Sequence, residues 1–341
     1  MTSLFEVLDT GRVPDRLRDR RGGYVGLSGG QWDQESLATM VGEVLAPSRP
    51  TRDIELKDTW RTRNSAFYSF RAFPEDPAEQ PFDLVFKAER RWTPELAEGT
   101  FAALRRLADL KDLEPGPSAG IVFPEPLAWT REPPGLVMEY VEGFALFDVL
   151  ADSTHPLWSE PYRLTDLVRL SGEAFGWIHR LETIDPESAD VRERALKRLP
   201  IVVRWILLLV ARPPAGSVVR SHNFSRNDFL VSPRYELCVL DPPSEGKPAL
   251  LHEDLAWFNY QLLERLERRQ ALQLRKVFLD GHDRSSSAGP LSKTDRRAIT
   301  ICEGARALGT AKRLLLKRSY RAALRPIRIA LGLPRRLLGR G

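Results

Sequence analysis

Residues 221 to 258 decide the fold. They read SHNFSRNDFLV (221–231), then VLDPPSEG (239–246), then HEDLAWF (252–258). A polar loop enters a short apolar strand, FLVS at 229–232. A Pro-Arg-Tyr turn at 233–235 reverses the chain into a second strand, ELCVL at 236–240. Asp228 stands at the foot of the first strand and Asp241 directly after the second. A hairpin that pairs those strands turns both acids toward one cleft, an arrangement suited to a divalent cation.

Upstream of that hairpin the pattern is strand-like from about Ile54. Ala66–Phe73 is aromatic-rich, residues 74–80 form a Pro/Glu/Asp turn, and Phe82–Lys87 is a short apolar run ending on a cation. Thr93 then caps a helix with Pro94 and Glu95 in its first turn, and Phe101, Leu104 and Leu107 continue one face. Glu98 or Glu95 of that helix can hold the Lys87 ammonium, whose charge reaches the phosphates of a nucleotide. Leu127–Thr130, a turn at 133–135 and Leu136–Val141 make another strand pair. A short helix is expected over Glu35–Leu45. After Gly143 the spacing of Leu167, Leu170, Ala174, Ile178 and Leu181 is helical. Strands first and helices after give an α+β chain of two lobes.

Phosphoryl transfer needs a cation on the phosphates, ligands for Mg²⁺, a slot for adenine and a group that orients the nucleophile. The segments that supply them come in the order of the aminoglycoside phosphotransferase/choline kinase family, which the chain resembles from about Ile54 to Lys317. The resemblance is carried by Lys87, MEYVEG (138–143), FSRNDFLV (224–231), VLDP (239–242) and EDLAWF (253–258). It implies a bilobal protein-kinase-like fold with a small strand-rich N-lobe and a larger helical C-lobe. The division expected is 51–141 and 142–309, with 1–50 an N-terminal extension and 310–341 a basic tail. It also implies ATP and Mg²⁺ as cofactors and a hydroxyl of a small molecule as phosphate acceptor: a sugar, an aminoglycoside-like compound or a lipid-linked group. The Glu139 carbonyl and Val141 N–H would read adenine, with Met138 behind it. Asp241 matches the metal-binding aspartate, and Asp254 matches the aspartate of DLA, which braces the catalytic loop from inside.

The loop departs from the family pattern, HGDFxxxNxLV, at its centre. Asn223 occupies the position of the catalytic base and Asp228 that of the metal-binding asparagine, while Ser221-His222 replace His-Gly. A one-residue shift would set His222-Asn223 on His-Gly instead and leave no aspartate at the base position. An asparagine orients a hydroxyl but cannot take its proton, which is worth ~10²–10⁴ in rate. The reading is therefore a phosphotransferase slowed at that step, with a nucleotide-binding pseudokinase of regulatory or scaffold role as the alternative. Residues 61–66, RTRNSA, offer no glycine to cradle phosphates.

Composition bounds the rest. In 341 residues the apolar share is 42% and the charged share 28%, as in soluble globular chains, and no secretory leader is read at the start. The longest apolar run, Ile201–Val210, is half of the ~20 residues that cross a bilayer and reads as a buried helix. Two distant cysteines, Cys238 and Cys302, suggest no disulfide and fit the cytoplasm. From Glu303 to Gly341 there are eleven basic residues and one acid, a balance of +10, which leaves −5 for the remainder of a chain at +5. Tyr320, Leu324, Ile327 and Leu331 fall on one helical face of this tail, across Pro326. That pattern suits a helix lying on an anionic membrane surface, or packing on the acidic body, better than one reading nucleic acid.

Overall fold

The computed structural model describes residues 34–61, 65–89, 92–110, 119–182, 189–211, 218–220, 224, 228–240, 248–286 and 289–332. The order of elements begins α1 (Gln34–Leu45), β1 (Thr51–Arg61), β2 (Ser65–Pro74), β3 (Phe82–Glu89), α2 (Pro94–Leu110) and β4 (Ile121–Val122). It continues β5 (Pro126–Arg131), β6 (Pro134–Glu139), β7 (Phe144–Ala145), α3 (Leu146–Ala151), α4 (Pro161–Glu182), α5 (Ala189–Lys197) and α6 (Ile201–Val210). It ends β8 (Val218–Arg220), β9 (Phe229–Val231), β10 (Leu237–Val239), β11 (Pro248–Leu250), α7 (Leu251–Arg265), α8 (Arg268–Ser285), α9 (Lys293–Leu316) and α10 (Tyr320–Leu331). The chain is α+β and divides into two compact units, with the strand-rich one first, as the protein-kinase-like order of segments predicts.

The first unit comprises Met1–Glu114 and Phe123–Glu142. Its sheet runs β1-β2-β3-β6-β5, antiparallel throughout. Because side chains alternate across a strand, Leu84, Phe86 and Ala88 of β3 join Ala66, Tyr68 and Phe70 of β2 on one face. The stripe Leu37, Val41, Leu45 of α1 covers that face, so the helix expected at 35–45 completes a core. Val85, Leu136 and Met138 occupy the opposite face, where Leu104 of α2 packs on them. The turn between β5 and β6 is Glu132-Pro133, one residue earlier than the spacing suggests, and its peptide bond is cis.

The second unit comprises Pro115–Val122 and Gly143–Gly341. Its small sheet runs β4-β10-β9-β7, with β4 and β10 parallel. The expected hairpin of FLV and LCV is formed, Leu237 opposite Val231 and Val239 opposite Phe229. Beneath it Phe147, Phe175, Phe224, Phe229, Trp257, Phe258 and Phe278 make one aromatic core, with Phe258 stacked on Phe278 at 4.1 Å. Glycines let α4 and α8 approach backbone to backbone, since a Cβ on Gly172 would collide with the Phe278 carbonyl and one on Gly281 with the Arg169 carbonyl.

One expectation is overturned. The apolar run Ile201–Val210 is a helix, α6, but only Leu207 is buried in it, and Trp205 keeps 60% and Leu209 72% of their surface exposed. A run whose one polar residue is Arg204 carries too little period to say which face is covered. In the tail, α9 continues to Leu316, and α10 runs through Pro326 and packs on α9, with Ala323 and Pro326 buried. The Arg325 Nε donates to the Leu263 carbonyl at 3.3 Å, and its Nη2 donates to that of Leu266.

Candidate functional site

In the first unit the site residues lie on β3 and β6. Lys87 faces away from α1, on the side of Val85 and Met138, and sits in register with Leu136 of β6 and Phe67 of β2. It is 4% exposed. A buried ammonium must be paired. The carboxylate brought to it is Glu89, two residues on in the same strand, at 2.8 Å, and the Trp92 ring lies 5.2 Å from its Nζ. Glu95 and Glu98 are exposed on α2. Glu95 instead accepts from Thr93, which with the adjoining main chain holds its carboxyl below the usual range.

Met138 is buried on the same sheet face, beside Trp60, Phe67 and Tyr140, and Trp60 stacks on Phe67 at 5.2 Å. Burial, reinforced by the negative charge of Glu142, Asp83 and Asp58, pushes the Tyr140 hydroxyl up. The Glu139 N–H donates to the Glu125 carbonyl at 2.9 Å and the Tyr140 N–H to that of Asp83 at 3.1 Å. Among the described residues Val141 makes no main-chain hydrogen bond. The strand therefore ends with a main-chain donor left over beside a flat aromatic and thioether surface. That pairing is suited to the edge and face of a heterocyclic base.

In the second unit, β8 pairs with β11 and β9 with β10, two short ladders, with Asp228 at the start of β9. Phe224 is buried against Phe175 (4.8 Å) and Phe229 (5.1 Å), which pins the loop residue next to position 223. Asp228 is half-buried at the foot of β9, and its carbonyl accepts from the Leu240 N–H at 2.6 Å. Asn223 and Asp241 lie outside the described residues, as do residues 62–64 of the 61–66 loop. Among the described residues no group of three or more His, Cys, Asp or Glu side chains is placed to hold a metal ion.

Asp254 is 3% exposed on α7, with its Oδ2 3.6 Å from the His179 Nε2. His179 Nδ1 is in turn 3.3 Å from His282 Nε2. Burial drives His282 down to about 4, so it is neutral at pH 7. A second pair lies alongside, His252 Nε2 to Asp295 Oδ1 at 2.9 Å. Burial works to raise Asp295, yet hydrogen bonds from His252 and Ser292 bring it to about 2. Sequence spacing missed this network because His179 and His282 are 103 residues apart. The one signal was their helical setting, which favours a structural role.

Among solved structures the chain is similar to the GDP and kanamycin complex of an aminoglycoside 2″-phosphotransferase (TM-score 0.45, 13% identity, 88% of this chain and 98% of that one). It is similar also to a choline/ethanolamine kinase family protein from Mesorhizobium loti (TM-score 0.43, 15% identity, 84% and 87%). A pseudokinase in its apo form is similar at TM-score 0.35 and 14% identity (84% and 92%). No family model matches the chain, and no curated protein matches it.

Proposed function

We propose that the protein is an ATP-dependent phosphotransferase that acts on a hydroxyl of a small molecule, and acts slowly. The observation that carries this reading is the buried Lys87 ammonium on the same sheet face as Met138, one strand away from the Val141 N–H, which makes no main-chain hydrogen bond among the described residues. A lysine sequestered at 4% exposure is an ordinary surface cation no longer. Lys87 would hold the α- and β-phosphates, and the ends of β6 and the segment after it would take the adenine edge. Asp228 and Asp241, both at strand ends of one hairpin, would hold Mg²⁺, which when bound offsets the charge of the phosphate oxygens.

In the reaction, the acceptor hydroxyl oxygen forms a bond to the γ-phosphorus as the bridging P–O bond to the β-phosphate breaks, releasing ADP. Asn223 can orient the hydroxyl through its carbonyl oxygen but cannot accept the proton, which passes to solvent or to the phosphate. Positioning and charge remain as sources of rate. Asn223 also motivates the second reading, a nucleotide-binding pseudokinase. Isothermal titration of ATP with and without Mg²⁺ tests both: Mg²⁺-dependent binding that Lys87→Ala weakens is expected. No affinity at millimolar nucleotide removes the two readings together.

A further inference from the structure

Unit 2 carries an apolar surface that its own fold leaves uncovered. On α6, Ile201, Trp205 and Leu209 follow i, i+4, i+8 on one face and are 60%, 60% and 72% exposed, with Val202 beside them at 64%. The helix packs on α9, as does α10. α9 itself exposes Leu308, Leu315 and Leu316. On α10 the buried contacts are Ala323 and Pro326, which turns the stripe of Tyr320, Leu324 and Leu331 outward. The exposed cations among the described residues of this region are Lys312, Arg313, Lys317, Arg318, Arg321, Arg325 and Arg328. No acid occurs after Glu303, which is itself buried.

We propose that α6, the outer side of α9 and α10 together seat the protein on an anionic lipid surface. Two independent features ask for the same occupant. The aliphatic and tryptophan side chains need an apolar phase, and the cations need phosphate or carboxylate just outside it. A bilayer interface holds both at that depth. No helix among the described residues is long and apolar enough to cross a membrane, and α6 has only ten residues, so the contact is a flat one. Packing against a second copy through the same face would bring two sets of these arginines and lysines together, which opposes a two-fold interface. Nucleic acid would satisfy the cations and leave Trp205 and Leu209 in water.

The test is cosedimentation of the full chain with vesicles of phosphatidylcholine alone and of an equal phosphatidylcholine and phosphatidylglycerol mixture. Binding to the mixed vesicles only, weakened by salt, is expected. The double variants Trp205→Ser/Leu209→Ser and Arg321→Ser/Arg328→Ser should each lower partitioning roughly tenfold or more. All four side chains are exposed, so thermal unfolding should match the unaltered protein and a folding defect would be visible as its loss. Unchanged partitioning of either variant, equal binding to neutral vesicles, or no binding by the unaltered chain overturns the proposal. So does a dimer in analytical ultracentrifugation that Trp205→Ser/Leu209→Ser dissolves.

Discussion

The main-chain N–H of Leu240 donates to the Asp228 carbonyl at 2.6 Å, which locks the foot of β9 to the residue that precedes Asp241. Asp228 is thereby fixed at the end of a β-ladder rather than in a free loop. Asp228→Ala and Asp241→Ala should each abolish the Mg²⁺ dependence of nucleotide binding in titration calorimetry.

Lys87→Ala should weaken ATP binding by about 10- to 100-fold, the equivalent of a charge-assisted contact of roughly 1.5–3 kcal/mol. Lys87→Met, which keeps the stem against Trp92, should bind as poorly while unfolding closer to the unaltered protein. Equal affinity for all three proteins would remove Lys87 from the site.

Asn223→Asp combined with Asp228→Asn restores the order of the resembled catalytic loop. If proton acceptance is what limits the reaction, ATP turnover should rise by ~10²–10⁴. Retained ATP binding without a gain in turnover would favour the pseudokinase reading.

Stability should fall in mild acid through His282. Its folded value near 4 lies below the ordinary 6.5 because burial disfavours the cation. Hence the neutral form stabilises the fold fully above pH 6.5 and progressively less as the pH drops toward 4. The loss should amount to roughly 2–3 kcal/mol, seen as a falling denaturation midpoint between pH 7 and pH 4. Groups packed against it are His179 and Asp283, with Asp254 on the far side of His179. His282→Gln should flatten the profile over that range. A variant with the same slope as the unaltered protein would assign the acid sensitivity elsewhere.

Gly172→Ala should destabilise the second unit by about 2–4 kcal/mol, since the added methyl has to push α8 away at the Phe278 carbonyl. Gly309→Ala, where nothing lies within 4 Å of the added carbon, should be neutral or slightly stabilising. Paired chemical denaturation of the two variants checks the contrast.

The parts legible in the sequence are those in which a local pattern and a tertiary partner agree. The hairpin at 229–239 has apolar strands and a turn with Tyr235 at positive φ (62°), and the helix over 35–45 has a stripe that meets the sheet. Lys87 was legible as a strand end, but its partner was not. Glu89 is nearer in sequence than Glu95 or Glu98, but sequence distance does not say which carboxylate reaches the ammonium, and the side-chain packing brings Glu89 to it. The His179–His282 contact depends on how α4 and α8 cross, which glycines at 172, 176 and 281 decide without any periodic signal. For α6 the pattern gave a helix correctly and its burial wrongly, because nine apolar residues interrupted only by Arg204 fit an interior and an uncovered exterior alike.

The pairing of β4 with β10 ties together residues 116 positions apart: Ile121 lies opposite Leu237, and Val122 opposite Cys238. Since β4 belongs to the second unit while the chain on both sides of it belongs to the first, neither unit is one continuous stretch of polypeptide. On the ribosome, Ile121 must wait exposed until Leu237 has been made, so the second sheet cannot close while the first unit is being finished. A gene cut at Glu142 would strip that sheet of an outer strand and open the edge of β10, where Cys238 lies. Such a fragment should aggregate, and expressing the helical half by itself calls for grafting residues 115–122 back onto it.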